Sequence, residues 1–301
     1  MSLRLAQISD LHLPFWPTRW RSHDWNLKRL AGWLNMRWWL RSELFLLAET
    51  VARALVRDVL RRRPDGVILC GDVACLGFEE EFAAAARLLQ PLLENFPGVA
   101  VPGNHDHYVE ETVRSGAFER HFAPWQQGLR TDEATYPFAL VLNSLAVLAV
   151  NSAQPTIWPW DTRGQVGAQQ MKHLQDLLAL SALRSRPCFL ATHYPFLRAD
   201  GSPENYFRRL VDAEALAELL ARHHVQAWLH GHRHHPYVLA PDVHRGFALV
   251  CSGSATQRRV WSYYELECHD HTLRIARRAY WLPTDEFVEA AESEIALAIG
   301  P

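Results

Sequence analysis

Aspartate, asparagine and histidine recur in this chain as short groups set far apart. Asp10 and His12 stand in Asp10-Leu11-His12, and Asp72 follows Gly71. Asn104, His105 and Asp106 follow Gly103, His193 comes alone, and His232 and His234 flank Arg233 after Gly231. Asp10, Asp72, Asn104, His12, His193, His232 and His234 offer oxygen and nitrogen donors and no thiolate. Such a set suits divalent ions of borderline or harder character, such as zinc, manganese or iron(II). Seven donors exceed what one tetrahedral ion takes; they match two ions sharing a bridging carboxylate. Two ions about 3.5–4 Å apart form a clamp for in-line displacement at phosphorus. One acidifies a water, and both hold phosphoryl oxygens as charge builds in the transition state. Each group alone is weak. A lone histidine is more often structural than a ligand, Gly71-Asp72 fits an ordinary turn, and Asn104 fits a helix cap. The ordered combination carries the reading.

Each group directly follows an apolar run that reads as a strand: residues 3–8, 66–70, 99–101, 188–191 and 225–229. Between them lie stretches with apolar residues at helical spacing, 44–63 (stopped by Pro64), 78–94 and 167–183, and a helix from a cap at Asp212 to about His224. Residues 138–142 and 145–150 read as strands paired around Asn143. Residues 247–251, 260–266 and 273–279 read as further strands, and 285–298 as a short acidic helix or loose tail. Alternating strands and helices predict an α/β protein. Ligands in such folds gather beyond the carboxyl ends of strands, so all five groups can converge on one site.

The chain has 301 residues, 49% hydrophobic and 21% charged, which excludes a disordered chain. Lys+Arg 31 against Asp+Glu 33 gives a formal charge of −2, and no nucleic acid partner is predicted. Five cysteines, an odd number without a CxxC pair, predict buried free thiols in a reducing compartment. No secretory signal and no membrane-spanning run is read, so the expected location is cytoplasmic, with peripheral contact on the inner membrane face open. The expected organisation is one domain over 1–282 and a short C-terminal helix or tail over 283–301. Nothing indicates the oligomeric state.

With all five groups in order, the chain resembles the calcineurin-like metallophosphoesterases, whose pattern runs D-x-H, GD, GNH[DE], H, GHxH. The resemblance spans residues 4 to about 255, and no ligand position is substituted. It implies a four-layer sandwich of two mixed β-sheets flanked by helices. It also implies two divalent ions (Mn2+, Fe2+/Fe3+ or Zn2+), one held by Asp10, His12 and His234, the other by Asn104, His193 and His232, with Asp72 bridging. His105 would contact the phosphate and protonate the leaving oxygen, and Asp106 would orient His105. The implied activity is hydrolysis of a phosphodiester or pyrophosphate by metal-activated hydroxide. Of the remaining groups, Arg29 and His107 are expected to contact substrate, and His230 and His235 to be structural or beyond the ligands.

Residues 13–47 form an unusual insert. Trp16, Trp20, Trp25, Trp33, Trp38 and Trp39 are six of the 12 tryptophans within 24 residues, where even usage would place about one. The stretch is basic, and Leu27, Leu30, Leu34 and Trp38 share a helical face. Such a segment suits a membrane interface, an acyl-chain groove, a cap over the site or a dimer interface. Its run 26–35 is similar to an insert of the bacterial branch that contains UDP-2,3-diacylglucosamine pyrophosphatases. A lipid-linked pyrophosphate is therefore among the expected substrates, beside cyclic nucleotides and glycerophosphodiesters. A metal-bound docking module without catalysis is the rival from another class.

Overall fold

The computed structural model describes residues 2–15, 20–38, 41–184, 186–269 and 272–297. Trp16, Arg19 and Trp39 of the insert, the Trp38 side chain and the end of the predicted tail (298–301) lie outside the described residues. The elements run β1 (Leu3–Ile8), α1 (Leu27–Trp38), α2 (Arg41–Leu44), α3 (Ala48–Arg62), β2 (Gly66–Leu69), α4 (Glu79–Asn95), β3 (Gly98–Ala100), α5 (Glu110–Ser115) and α6 (Ala117–His121). They continue with β4 (Phe138–Leu142), β5 (Leu145–Ala149), α7 (Ala168–Leu178), α8 (Ser181–Arg184), β6 (Cys188–Ala191), α9 (Ala213–Arg222), β7 (Val225–His230), β8 (Tyr237–Leu239) and β9 (Ala248–Cys251). The chain closes with β10 (Ser262–His269), β11 (Thr272–Trp281) and β12 (Glu286–Ala296).

Two six-stranded mixed sheets result, ordered β12-β11-β10-β1-β2-β3 and β4-β5-β6-β7-β9-β8. The central strands are apolar on both faces, because each face is covered. On β2, Ile68 joins Leu5, Val99, Phe138, Val147, Phe189 and Leu229 between the sheets. Its neighbours Val67 and Leu69 point the other way, onto α3 and α4. Leu148, Leu190 and Trp228 of the second sheet pack likewise against α7 and α9. This is the expected arrangement of two mixed sheets flanked by helices. Cys70, Cys75, Cys188 and Cys251 are buried free thiols and Cys268 is half-buried. Among the described residues no helix is long and apolar enough to cross a membrane.

Two local expectations are corrected. Residues 286–296 form neither helix nor tail but the edge strand β12, antiparallel to β11. Alanine and glutamate favour a helix in isolation; pairing overrides that. Phe287 buries beside Tyr263 and Tyr280, and Arg274 holds Glu292 at 2.6 Å. Asp58 of α3, buried, takes the Arg278 guanidinium at 2.6 and 2.9 Å and the Tyr263 hydroxyl at 2.7 Å, which ties β10 and β11 to the helix layer. Asp212 does not cap its own helix. Its carboxylate accepts the amides of Val166 and Gly167 at 3.0 and 2.8 Å, at the entry to α7.

The insert packs inward through the side of α1 away from Leu27 and Leu34. Leu27 and Leu34 are exposed, while Lys28, Arg29 and Met36 are buried. Gly32 sits against the Tyr108 hydroxyl and Leu76, where a Cβ would collide. Trp20 and Trp33 pack on a small core of Met36, Leu76, Phe78 and Tyr108.

Candidate metal centre

The five polar groups sit just past β1, β2, β3, β6 and β7, where the carboxyl ends of both sheets meet. The chain turns there in unusual backbone. Asp10, His12, Asp72, His232 and His234 all have positive φ, between 39° and 67°, a region costly for residues with a Cβ and concentrated at functional sites. Two glycines of the motifs are needed for close approach: a Cβ on Gly231 would strike Ser9 and Asp10, and one on Gly103 would strike Asp72.

Two clusters of donor atoms share one oxygen. In the first, His12 Nε2 is 3.1 Å from His234 Nε2, and Asp10 Oδ1 is 3.3 Å from His234 Nε2 and 3.8 Å from His12 Nε2. In the second, Asn104 Oδ1 is 3.2 Å from His193 Nε2 and 2.9 Å from His232 Nδ1, and those two nitrogens are 3.3 Å apart. Asp72 Oδ2 stands between, 3.5 Å from His12 Nε2 and 3.4 Å from His193 Nε2. Ligands about 2.0–2.1 Å from a tetrahedral ion lie about 3.4 Å from one another, so both spacings fit an ion.

Tautomers strengthen the fit. His12 Nδ1 donates to the Ala74 carbonyl at 3.1 Å, His193 Nδ1 to the Cys70 carbonyl at 2.8 Å, and His234 Nδ1 to Gln257 Oε1. A carbonyl only accepts, so each ring carries its proton on Nδ1 and turns a lone pair inward from Nε2. Three such lone pairs face carboxylate oxygens, a crowd of acceptors that a cation resolves. Asp10 Oδ2 accepts Ser9 Oγ at 2.7 Å and the His232 amide at 3.1 Å. Its other oxygen, Asp10 Oδ1, is buried without a hydrogen-bond partner. Burial pushes the Asp72 carboxyl up; positive charge at His193, His105 and His12 outweighs that and holds the group well below the usual carboxylate range, the effect a cation among neutral rings would have.

His105 lies beside these clusters at the site's edge, its ring 4.8 Å from that of His12. Its Nδ1 donates to the Cys75 carbonyl at 2.6 Å, and the Tyr108 ring stacks on it at 5.4 Å. The expectation that Asp106 orients His105 is corrected. Asp106 Oδ2 accepts the amides of Asp72 and Gly103 at 2.7 and 2.9 Å, and Oδ1 those of Val73 and Ala74 at 3.0 Å each. Asp106 braces the loop that carries Asp72.

Arg29 and His107 are likewise corrected as substrate contacts. Arg29 is 2% exposed, and all five guanidinium N–H groups are used, on Leu76, Gly77, Asp24 and Thr112. His107 is buried against Glu119 at 3.0 Å. His230 is buried on β7, with Nδ1 on the Gly231 carbonyl at 3.0 Å, and burial pushes it down to about 4. His235 is exposed and outside both clusters. Sequence reasoning missed the run after β9: Ser254 Oγ donates to the Asp10 carbonyl at 2.6 Å, Thr256 Oγ1 to the Leu11 carbonyl, and Gln257 holds His234. The cluster of small hydroxyl residues there was the available signal.

Residues 3–236 match the family model described as calcineurin-like phosphoesterase. Among solved structures, a dimetal phosphatase from Danio rerio is similar over 98% of this chain and 99% of its own, at 13% identity and a TM-score of 0.65. A purple acid phosphatase from yellow lupin seeds is similar over 98% of this chain and 54% of its own, at 13% identity and a TM-score of 0.61. No curated protein matches by sequence. The chain belongs to the calcineurin-like phosphoesterases, a family of phosphoric ester hydrolases with dinuclear metal centres.

Proposed function

We propose that this calcineurin-like phosphoesterase hydrolyses a phosphodiester or pyrophosphate bond with two divalent ions. One would be held by Asp10, His12 and His234 and the other by Asn104, His193 and His232, with Asp72 Oδ2 shared. The observation that carries the reading is that shared oxygen, about equally far from a lone pair of each cluster. Such ions supply Lewis acidity to the phosphoryl oxygens and acidify a water. The chain's own residues do the rest. Asp72 Oδ1 accepts the His105 amide at 2.7 Å, which sets His105 at a fixed distance from the shared oxygen. The Cys75 carbonyl takes the Nδ1 proton of His105, so a second proton, carried on Nε2, would be the one passed to the departing oxygen.

The test is turnover of bis(p-nitrophenyl) phosphate with Mn2+, Fe2+ or Zn2+. Wild type should be active and Asp72→Ala should lose about 10²–10³-fold or more. Wild-type turnover in Asp72→Ala, or no turnover of any phosphoester, would remove the reading and favour a docking module.

Among substrates, one observation favours a lipid-linked pyrophosphate over a cyclic nucleotide or a glycerophosphodiester. A cavity of about 320 Å³ lies between α1 and residues 155–158, walled by Leu27, Val109, Pro155, Ile157 and Trp158. Lys28 on its wall bonds the Tyr108 carbonyl at 2.8 Å and Thr156 Oγ1 at 2.7 Å, and the Tyr108 ring stacks on His105. A panel of the three substrate classes at equal concentration decides the order.

A further inference from the structure

At the rim of the metal centre large apolar side chains turn outward. Ile157 is 82% exposed, Leu27 75%, Trp160 60% and Trp158 52%; Tyr206 and Phe207 are also exposed. These residues adjoin one another. Trp158 and Trp160 stack with centroids 5.0 Å apart at 15°, and the Asp161 amide returns to the Trp158 carbonyl at 3.1 Å, which closes the loop. The Thr162 amide donates to the Phe207 carbonyl at 2.8 Å, so Tyr206 and Phe207 flank the same loop. Leu27 faces Ile157 and Trp158 across the cavity. The rim borders the site: the Tyr194 ring is 4.5 Å from that of His232, and the Tyr194 hydroxyl donates to the Thr162 carbonyl.

Arginines flank this apolar edge. Residues 154–160 carry none. The Arg163 and Arg209 guanidinium groups lie 5.2 and 4.8 Å from the Tyr206 ring, and Arg208, next to Arg209 in sequence, is exposed. Asp161 is taken up by Arg163 at 2.7 Å, and Glu110, which with Glu111 lines the cavity, by Arg114 at 3.3 Å. Exposed aromatics with arginines against them have the composition of a bilayer interface, where aromatics sit at headgroup level and arginines meet anionic lipid. Six adjoining exposed apolar side chains mark an interaction site, and the exposed arginines beside them favour an anionic lipid surface as its occupant.

We propose that the rim formed by Leu27, Ile157, Trp158, Trp160, Tyr206 and Phe207 docks the protein on an anionic lipid surface and turns the metal centre toward it. The proposal deepens the reading of a lipid-linked substrate, but docking is measured without turnover. The full chain is sedimented with vesicles of phosphatidylcholine alone and of phosphatidylcholine with phosphatidylglycerol. Wild type should bind the anionic vesicles, less so as salt is added. Trp160→Ser with Phe207→Ser, neither of which lines the cavity, should weaken binding at least about tenfold while hydrolysis of soluble bis(p-nitrophenyl) phosphate stays within about twofold of wild type. Arg209→Glu, on the exposed surface, should weaken binding to the anionic vesicles by about tenfold. Wild type left in the supernatant, or variants that bind as wild type does, overturns the proposal. So does a wild type that elutes as a dimer while the double variant elutes as a monomer, which gives the face to a second copy. Lost vesicle binding with intact turnover leaves the phosphoesterase reading standing; absent turnover with vesicle binding removes that reading alone.

Discussion

Asp106 accepts the main-chain amide of Asp72 at 2.7 Å, and with three more amides on its carboxylate it holds the loop that presents the shared oxygen. An asparagine there can keep bonds to one oxygen but turns an NH2 group toward amides that also donate. Asp106→Asn should therefore cost about 2–4 kcal/mol of stability even with metal chelated, and lower metal affinity as well. Chemical denaturation in EDTA checks the first effect. An unchanged midpoint there would return Asp106 to a role on His105 alone.

His105, with Nδ1 on the Cys75 carbonyl, is assigned the proton that the leaving oxygen needs. A leaving group that departs as a stable anion needs that proton least. His105→Ala should slow esters of poor leaving groups, such as alkyl alcohols, by about 10²–10⁴-fold and p-nitrophenyl esters much less. Equal losses across a leaving-group series would make His105 a phosphate contact only.

The order of ligands was readable because each one directly follows an apolar run, and strands buried on both faces leave that mark. What was not readable shares one cause: a polar side chain can satisfy a main-chain group far away in sequence. Asp212 looks like the cap of its own helix yet serves α7 across 45 residues. Arg29 looks like a solvent-facing basic residue yet spends every donor on residues 24, 76, 77 and 112. The strand β12 was hidden for a related reason. Its glutamates face solvent and arginines of neighbouring elements, so its alternation is weak, and Phe287 is its one residue under 9% exposed. The tryptophans of the insert divided by packing, a matter that composition does not decide.

Asp72 Oδ2 sits 3.5 Å from His12 Nε2 and 3.4 Å from His193 Nε2, so the two clusters should fail differently. Metal analysis after gel filtration should find about two ions per chain in wild type. His193→Ala should keep about one, because Asp10, His12, Asp72 and His234 remain together. Asp72→Ala should keep less than His193→Ala does, since both ions lose a ligand at once. Equal metal content in the two variants would mean that the carboxylate serves one ion only.

The ion pair of Asp58 with Arg278 makes a prediction about acid. Burial pushes the Asp58 carboxyl up, but the bonds from Arg278 and Tyr263 outweigh it and hold the folded-state value below the usual 3.8. A carboxyl depressed on folding stabilises the protein fully above its unfolded value, and that stability is lost as pH falls through the folded one. Asp58→Asn leaves the Arg278 guanidinium buried without its charge partner, at a cost of about 3–5 kcal/mol near neutral pH. The gap in unfolding free energy between wild type and Asp58→Asn should stay level down to about pH 5 and close below about pH 4. Urea denaturation at stepped pH measures it. A gap that persists unchanged to about pH 2 would show that the side chain holds β10 and β11 to α3 by shape and neutral hydrogen bonds, with its charge contributing nothing.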